Sequence, residues 1–137
     1  MRFAIDFDWI PAGRVVLGGD GKLEFPKLPA TPGIYQLDFR SGDQTVLYVG
    51  ETDNLKRRSS NYRNPGPTQR TSIRINARLI EHLKSGGTVE MVTTTTARIE
   101  IAGEWGPLDL ESKAARVMVE SAALLLAKKR AIPVENL

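Results

Sequence analysis

The chain has no cysteine, which excludes disulfides, thiolate zinc sites and cysteine nucleophiles together. It has no apolar run approaching the length of a membrane span. Its N-terminus, MRFAIDFDWI, is not a signal peptide, because Asp6 and Asp8 interrupt the only apolar stretch there. A cytoplasmic protein without membrane association is the expectation. No internal repeat or low-complexity segment stands out. Acids are missing from one long window: between Asn54 and Ile80 there are seven cations (Lys56, Arg57, Arg58, Arg63, Arg70, Arg74 and Arg78) and no Asp or Glu.

What is present is ordinary in bulk. The 137 residues suffice for one domain with a real core, and 41% hydrophobic with 26% charged residues suits a globular chain. The net charge of +3 is modest, so the sign of the charge matters less than its concentration. A basic window of this kind is the electrostatic footprint of a polyanion binder, although a solvated helical surface would look the same from charge alone.

Periodicity predicts an α+β fold. Ile34–Arg40 and Thr45–Val49 are rich in β-branched and aromatic residues and flank Ser41-Gly42-Asp43, so they read as a β-hairpin. A helix capped by Thr52 or Asp53 follows to about Tyr62 and is ended by Asn64-Pro65-Gly66-Pro67. A second helix runs from about Thr71 to Gly86-Gly87, with Ile73, Ala77, Ile80 and Leu83 as its apolar face. Thr88–Thr94 reads as a third strand, Arg98–Ala102 as a fourth, and Gly103–Pro107 as a loop. A last helix, capped by Asp109, runs to about Arg130 with Ala114, Val117, Ser121, Leu124 and Leu125 buried. The expected architecture is a small antiparallel three-stranded sheet flanked by helices. Residues 1–32, with a hairpin turn at Gly18–Gly21, are expected to be an N-terminal β-hairpin elaboration of the same domain, and residues 33–137 its main body.

Several side chains can carry chemistry. Leu55, Arg58 and Tyr62 share one helix face, so Arg58 points inward while Lys56 and Arg57 point elsewhere. An inward guanidinium suits a phosphate; the plainer alternative is a stem lying on apolar surface with its head in water. Glu120, one turn after Arg116, is either a surface glutamate paired with it, worth roughly 0.3–0.5 kcal/mol, or a hard oxygen ligand for Mg²⁺. Tyr35 and Tyr48 are phenols on paired strands, and Tyr35 alternates in phase with Leu37 and Phe39 as a core aromatic would. His82 reads as structural or exposed, not catalytic. Asn136 would otherwise pass as a frayed end.

The order of these parts resembles the GIY-YIG nuclease superfamily. Its two tripeptides fall on Gly33-Ile34-Tyr35 and Tyr48-Val49-Gly50, and the segment Gly50–Arg58 is similar to the stretch leading to that family's catalytic arginine. The resemblance covers residues 33 to the end. It implies Arg58 as the catalytic arginine, Glu120 as the metal-binding glutamate and Asn136 as the C-terminal asparagine. Val49 replaces the isoleucine of the second tripeptide. Tyr62 stands where many members have histidine, which is closer to the excision-repair nuclease type than to homing endonucleases.

The chemistry implied is hydrolysis of a DNA phosphodiester with one divalent ion, Mg²⁺ or Mn²⁺, held by Glu120. Arg58 would stabilise charge on the phosphate oxygens. Tyr48 would activate water, with Tyr35 or Tyr62 positioning it and Asn136 orienting Tyr or water. Lys56, Arg57, Arg63, Arg70, Arg74 and Arg78 are the expected phosphate contacts, with RNA as an open alternative to DNA. Specificity is expected from the basic stretch, from residues 1–32, from a partner protein or from a homodimer. The alternative function is a nucleic-acid-binding module on the same scaffold that does not cleave.

Overall fold

The computed structural model describes all 137 residues. In chain order the elements are β1 (Phe3–Asp6), β2 (Ile10–Leu17), β3 (Leu23–Glu24), β4 (Gly33–Ser41), β5 (Gln44–Thr52), α1 (Leu55–Arg63), α2 (Arg70–Lys84), β6 (Thr88–Thr94), β7 (Arg98–Ile101), β8 (Glu104–Pro107) and α3 (Lys113–Lys129). The expected three antiparallel strands, β4, β5 and β6, are present and adjacent. They belong to a five-stranded sheet of order β3-β2-β6-β4-β5, because β2 pairs with β6. A second sheet, β1-β7-β8, has three strands. No helix is long and apolar enough to cross a membrane.

The strand period of two sorts side chains between the faces of the large sheet. Tyr35, Leu37 and Phe39 meet Leu55 and Tyr62 of α1 and Ile75 and Leu79 of α2 in one cluster. Ile34 and Val49 meet Ala115, Val119 and Ala123 of α3 in the other. The sheet is thus a middle layer, and β5 is its edge strand on the site side. The C-terminal segment touches that edge through a parallel bridge between Leu47 and Val134.

Several boundaries and faces differ from the sequence-based expectation. Asn54 caps α1, its side chain accepting from the Arg57 amide at 2.9 Å. Thr52 is still paired with Gly33 in the sheet and only braces the turn, accepting from the Asn54 amide. The first amides of α1 also find carbonyls on the β3–β4 connector, Leu55 to Thr31 and Lys56 to Pro29, both at 3.0 Å. Ser112 caps α3, while Asp109 accepts from the Glu111 amide one turn earlier.

The buried face of α2 is Ser72, Ile75, Leu79 and His82, and Ile73 is exposed. The buried face of α3 is Ala115, Arg116, Val119, Ala123 and Ala127; Ala114, Val117, Ser121 and Leu125 are exposed and Leu124 only half-buried. A search for large apolar residues misses a helix that approaches its sheet through alanines. Of residues 103–107, expected as a loop, Gly103 lies in the β7–β8 turn and Glu104–Pro107 form β8, a short edge strand ending in Pro107, where the missing amide costs no ladder bond.

Candidate active site

The hairpin register explains how two phenols become neighbours. Tyr35 lies opposite Gly50 and Leu37 opposite Tyr48, so Tyr35 and Tyr48 are diagonal neighbours on one face. Their rings stack with centroids 6.3 Å apart and planes 29° apart. Tyr62 reaches the same place from α1, with its centroid 6.1 Å from Tyr35 in an edge-on arrangement. The Tyr35 and Tyr62 hydroxyls hydrogen-bond to each other. Tyr35 and Tyr62 are fully buried, while Tyr48 is half-buried at the sheet edge.

Arg58 is on the inner face of α1 and half-buried, whereas Lys56 and Arg57 are exposed. Burial opposes its charge, but the phenols of Tyr35, Tyr62 and Tyr48 outweigh that and push the Arg58 pKa up. The influence runs both ways. Burial, then the charges of Tyr62 and Tyr48, raise the Tyr35 pKa well above the ordinary phenol value, and Arg58 pulls it back only in part. Burial and Tyr62 raise that of Tyr48, again against Arg58, with a further push from Glu120. Tyr48 therefore rests as a neutral phenol at physiological pH.

Glu120 belongs to α3, on the other side of the sheet, yet its charge is felt by Tyr48 around the β5 edge. It is half-buried. Burial and the neighbouring Glu51 carboxylate raise its pKa, while the Glu51 backbone and Lys113 act in the opposite direction. Glu120 does not pair with Arg116. That guanidinium turns instead to Glu51, Nε to Oε2 at 2.7 Å, and Glu120 is left without an ion pair.

Glu51 is the residue that sequence reasoning passed over. It follows Gly50 directly and pairs with Ile34 in the register, which puts it on the α3 face, opposite the tyrosines. Strand alternation from Tyr48 would have shown this.

No group of three or more His, Asp or Glu side chains is gathered here to cage a metal ion. A lone, half-buried, unpaired carboxylate fits an ion that takes one or two carboxylates and keeps most of its waters, as Mg²⁺ does.

The remaining candidates divide into free and engaged. Arg70 and Arg74 are exposed near the start of α2, and Lys56 is exposed on α1. Arg57 pairs with Asp53. Beside Arg58 lies an open cleft of about 270 Å³ without any hydrophobic lining, bordered by Arg57, Asn61, Arg70 and Ser72.

Arg63 and Arg78 are committed inside the fold. Arg63 donates to the Leu23 carbonyl at 2.8 Å, with Asp20 at 3.8 Å. Arg78 donates through Nε and Nη2 to the Glu135 carboxylate at 2.8–3.0 Å and lies 4.5 Å over the Phe39 ring. Its expected phosphate contact gives way to this internal one. Asn136 is exposed, two residues beyond the bridge that registers the C-terminal segment beside Leu47; its side chain does not reach the tyrosine hydroxyls with a hydrogen bond.

No family model matches the chain. The UvrABC system protein C of Rhodospirillum rubrum is 41% identical to it over 69 residues, and that of Bradyrhizobium diazoefficiens 38% identical over 68 residues. Each match covers 50% of this chain but only 9% of the relative's length. Among solved structures, a glutamate-to-alanine mutant of bacteriophage T4 EndoII superposes with a TM-score of 0.59 at 21% identity, over 94% of this chain and 92% of that one. The sequence likeness over half of the chain and the fold shared with EndoII agree with the two ordered tripeptides and the arginine that follows them.

Proposed function

We propose that this domain is a metal-dependent endonuclease that hydrolyses phosphodiester bonds in DNA. The observation that carries the reading is the convergence at the β5 edge of three phenols, one inward arginine and one unpaired carboxylate. The likeness to UvrABC system protein C and to EndoII supports DNA as the substrate.

Glu120 would hold a divalent ion, Mg²⁺ or Mn²⁺, which when bound supplies positive charge against the scissile phosphate and its leaving oxygen. Arg58 provides a planar, permanently charged fork for the non-bridging oxygens where negative charge builds. Tyr48, the most open of the three phenols, faces the attacking water. Its raised pKa means it serves as a base only when the charge around it changes, and Arg58 already pulls in that direction. Tyr35 and Tyr62, bonded to each other and buried, hold Tyr48 and Arg58 in place. Asn136, on the segment bridged to β5, would orient water or Tyr48. Arg57 and Arg70 contact backbone phosphates at the cleft, and Lys56 and Arg74 do so from the exposed faces of α1 and α2.

The test is cleavage of supercoiled plasmid, structured DNA and RNA by purified protein. Nicking or linearisation with Mg²⁺ or Mn²⁺, abolished by EDTA, is the expected result. Turnover persisting after verified metal removal would overturn the mechanism. Tight binding without cleavage of any substrate would turn the reading to a non-cleaving module.

A further inference from the structure

Arg116 and Glu51 form the most enclosed ion pair in the molecule, with side-chain exposures of 7% and 16%. Burying an ion pair brings little net stability, because desolvation offsets the attraction. Such a pair calls for another reason to be there. Its connections supply one. Arg116 Nη1 donates to the carbonyls of Leu110 and Glu111, both at 2.9 Å, so the same side chain ties down the turn that leads into α3. Glu51 stands one residue after Gly50 and three after Tyr48, at the end of β5. Glu120 is one helical turn beyond Arg116, on the same side of α3.

Apart from Val119, the rest of the buried α3 face is built from small residues. Beside Arg116 it is Ala115, Val119, Ala123 and Ala127, and alanines offer few ridges to interlock with a sheet. Rotation or sliding of α3 would carry Glu120 away from the end of β5. We infer that the Glu51–Arg116 pair is a positioning device that keys α3 to the end of β5 and so sets where the Glu120 carboxylate stands beside that strand. The inference rests on the nuclease reading above, with Glu120 as metal ligand. Glu51 and Arg116 act through Glu120 and touch no reacting atom.

The decisive variant replaces both partners, Glu51→Leu with Arg116→Met, since an apolar pair of similar volume preserves folding in comparable cases. Three quantities are measured against wild type: thermal midpoint, Mn²⁺ dissociation constant by electron paramagnetic resonance without DNA, and kcat and KM on plasmid. The double variant should melt close to wild type and keep its KM for DNA. Its Mn²⁺ affinity and kcat should each fall roughly 10- to 100-fold, the usual loss when a group that orients a metal ligand is removed. A folded double variant with wild-type Mn²⁺ affinity and kcat overturns the inference and leaves the nuclease reading standing.

Should the double variant not fold, Glu51→Gln is read on the same three measurements. It retains an acceptor for Arg116 Nε while removing the charge. A lower melting point with unchanged Mn²⁺ affinity would make the pair merely structural. Wild-type protein that neither cleaves nor binds Mn²⁺ sinks both readings. Wild-type protein that binds Mn²⁺ without cleaving, with affinity lost in the double variant, supports the positioning role and rejects the nuclease.

Discussion

The Tyr35 ring crosses the backbone of Gly50 so closely that a Cβ at Gly50 would overlap the phenol. The two residues face each other in the β4–β5 register, and the crossing is what lets the Tyr35 hydroxyl reach Tyr62. The glycine of the second tripeptide is thereby a steric requirement of the first tripeptide's tyrosine. Gly33 has a matching reason: a Cβ there would lie 2.8 Å from Leu55 Cδ1 and 2.9 Å from the Thr94 carbonyl oxygen.

Gly50→Ala should therefore destabilise the fold by about 1–3 kcal/mol, the range for overpacking a filled core. It should also separate Tyr35 from Tyr62. Urea unfolding and near-ultraviolet circular dichroism check both. An alanine variant with wild-type stability and an unchanged tyrosine signal would show that the ring has room to move.

Arg58 and Arg57 are adjacent in sequence but differ in surroundings. Arg58→Ala should reduce turnover roughly 100- to 1,000-fold, the cost of deleting one preorganised charge-stabilising donor. Arg57→Ala removes an exposed pair with Asp53, and its effect on turnover should stay within a few-fold. Steady-state kinetics on one plasmid substrate compares them. Equal losses would mean that the inner face of α1 has no special part in the chemistry.

Glu120→Gln should abolish metal-supported turnover while leaving DNA affinity close to wild type, because the basic residues lie elsewhere. The raised pKa of Glu120 sets a pH dependence too. A carboxyl that holds its proton to higher pH folded than unfolded makes stability fall as pH rises through that interval. The cause is burial first and the Glu51 charge second. Metal binding needs the carboxylate, so Mn²⁺ affinity should climb with pH until the raised value is passed, above the ordinary glutamate value of about 4.3. A Mn²⁺ titration at several pH values, with Glu120→Gln as the flat control, reads this out.

The phenols extend the same logic to alkaline pH. Tyr35 and Tyr48 have raised pKa values, in both cases through burial first. Absorbance titration near 295 nm of metal-free protein should show these two ionising above the ordinary phenol value of about 10. The folded state then holds more protons than the unfolded one above that value, so stability declines as pH rises through it. Tyr48→Phe should remove one late-titrating phenol. Loss of an early-titrating phenol instead would mean that Tyr48 is more solvated than its stacking on Tyr35 implies.

The parts of this fold that sequence could show are those with a period and a punctuation. The hairpin of β4 and β5 announces itself through alternation around Ser41-Gly42-Asp43, and the inward arginine through its spacing from Leu55 and Tyr62. The α3 face is not legible, because its contacts are alanines and a buried arginine while its large residues, Val117 and Leu125, face outward. Only the last residues of β2 read as strand: its pairing with β6 joins segments about eighty positions apart, and nothing local encodes that. Glu51 is hidden for a different reason. Its role depends on Arg116, sixty-five residues away, and an acid after a glycine looks like a turn residue. Arg78 shows the converse, a cation in an acid-free window whose partner, Glu135, lies at the far end of the chain.

That last pairing separates two kinds of arginine on α2. Arg70 and Arg74 are exposed and free to meet phosphates, whereas Arg78 anchors the C-terminal segment through Glu135 and Phe39. Neutralising Arg70 and Arg74 together should flatten the salt dependence of DNA binding, with the log–log slope falling by roughly 0.9 for each duplex phosphate no longer neutralised. Binding should weaken similarly on unrelated sequences, since phosphate contacts carry no base information. Arg78→Ala should leave the slope unchanged and instead lower stability, by roughly 0.5–1 kcal/mol for its interaction with the ring and up to about 1 more for the ion pair. Salt titrations and urea unfolding in the Glu120→Gln background, where substrate stays intact, measure the two effects side by side. A slope that falls with Arg78→Ala but not with the Arg70 and Arg74 pair would put the DNA along the C-terminal edge and not across the start of α2.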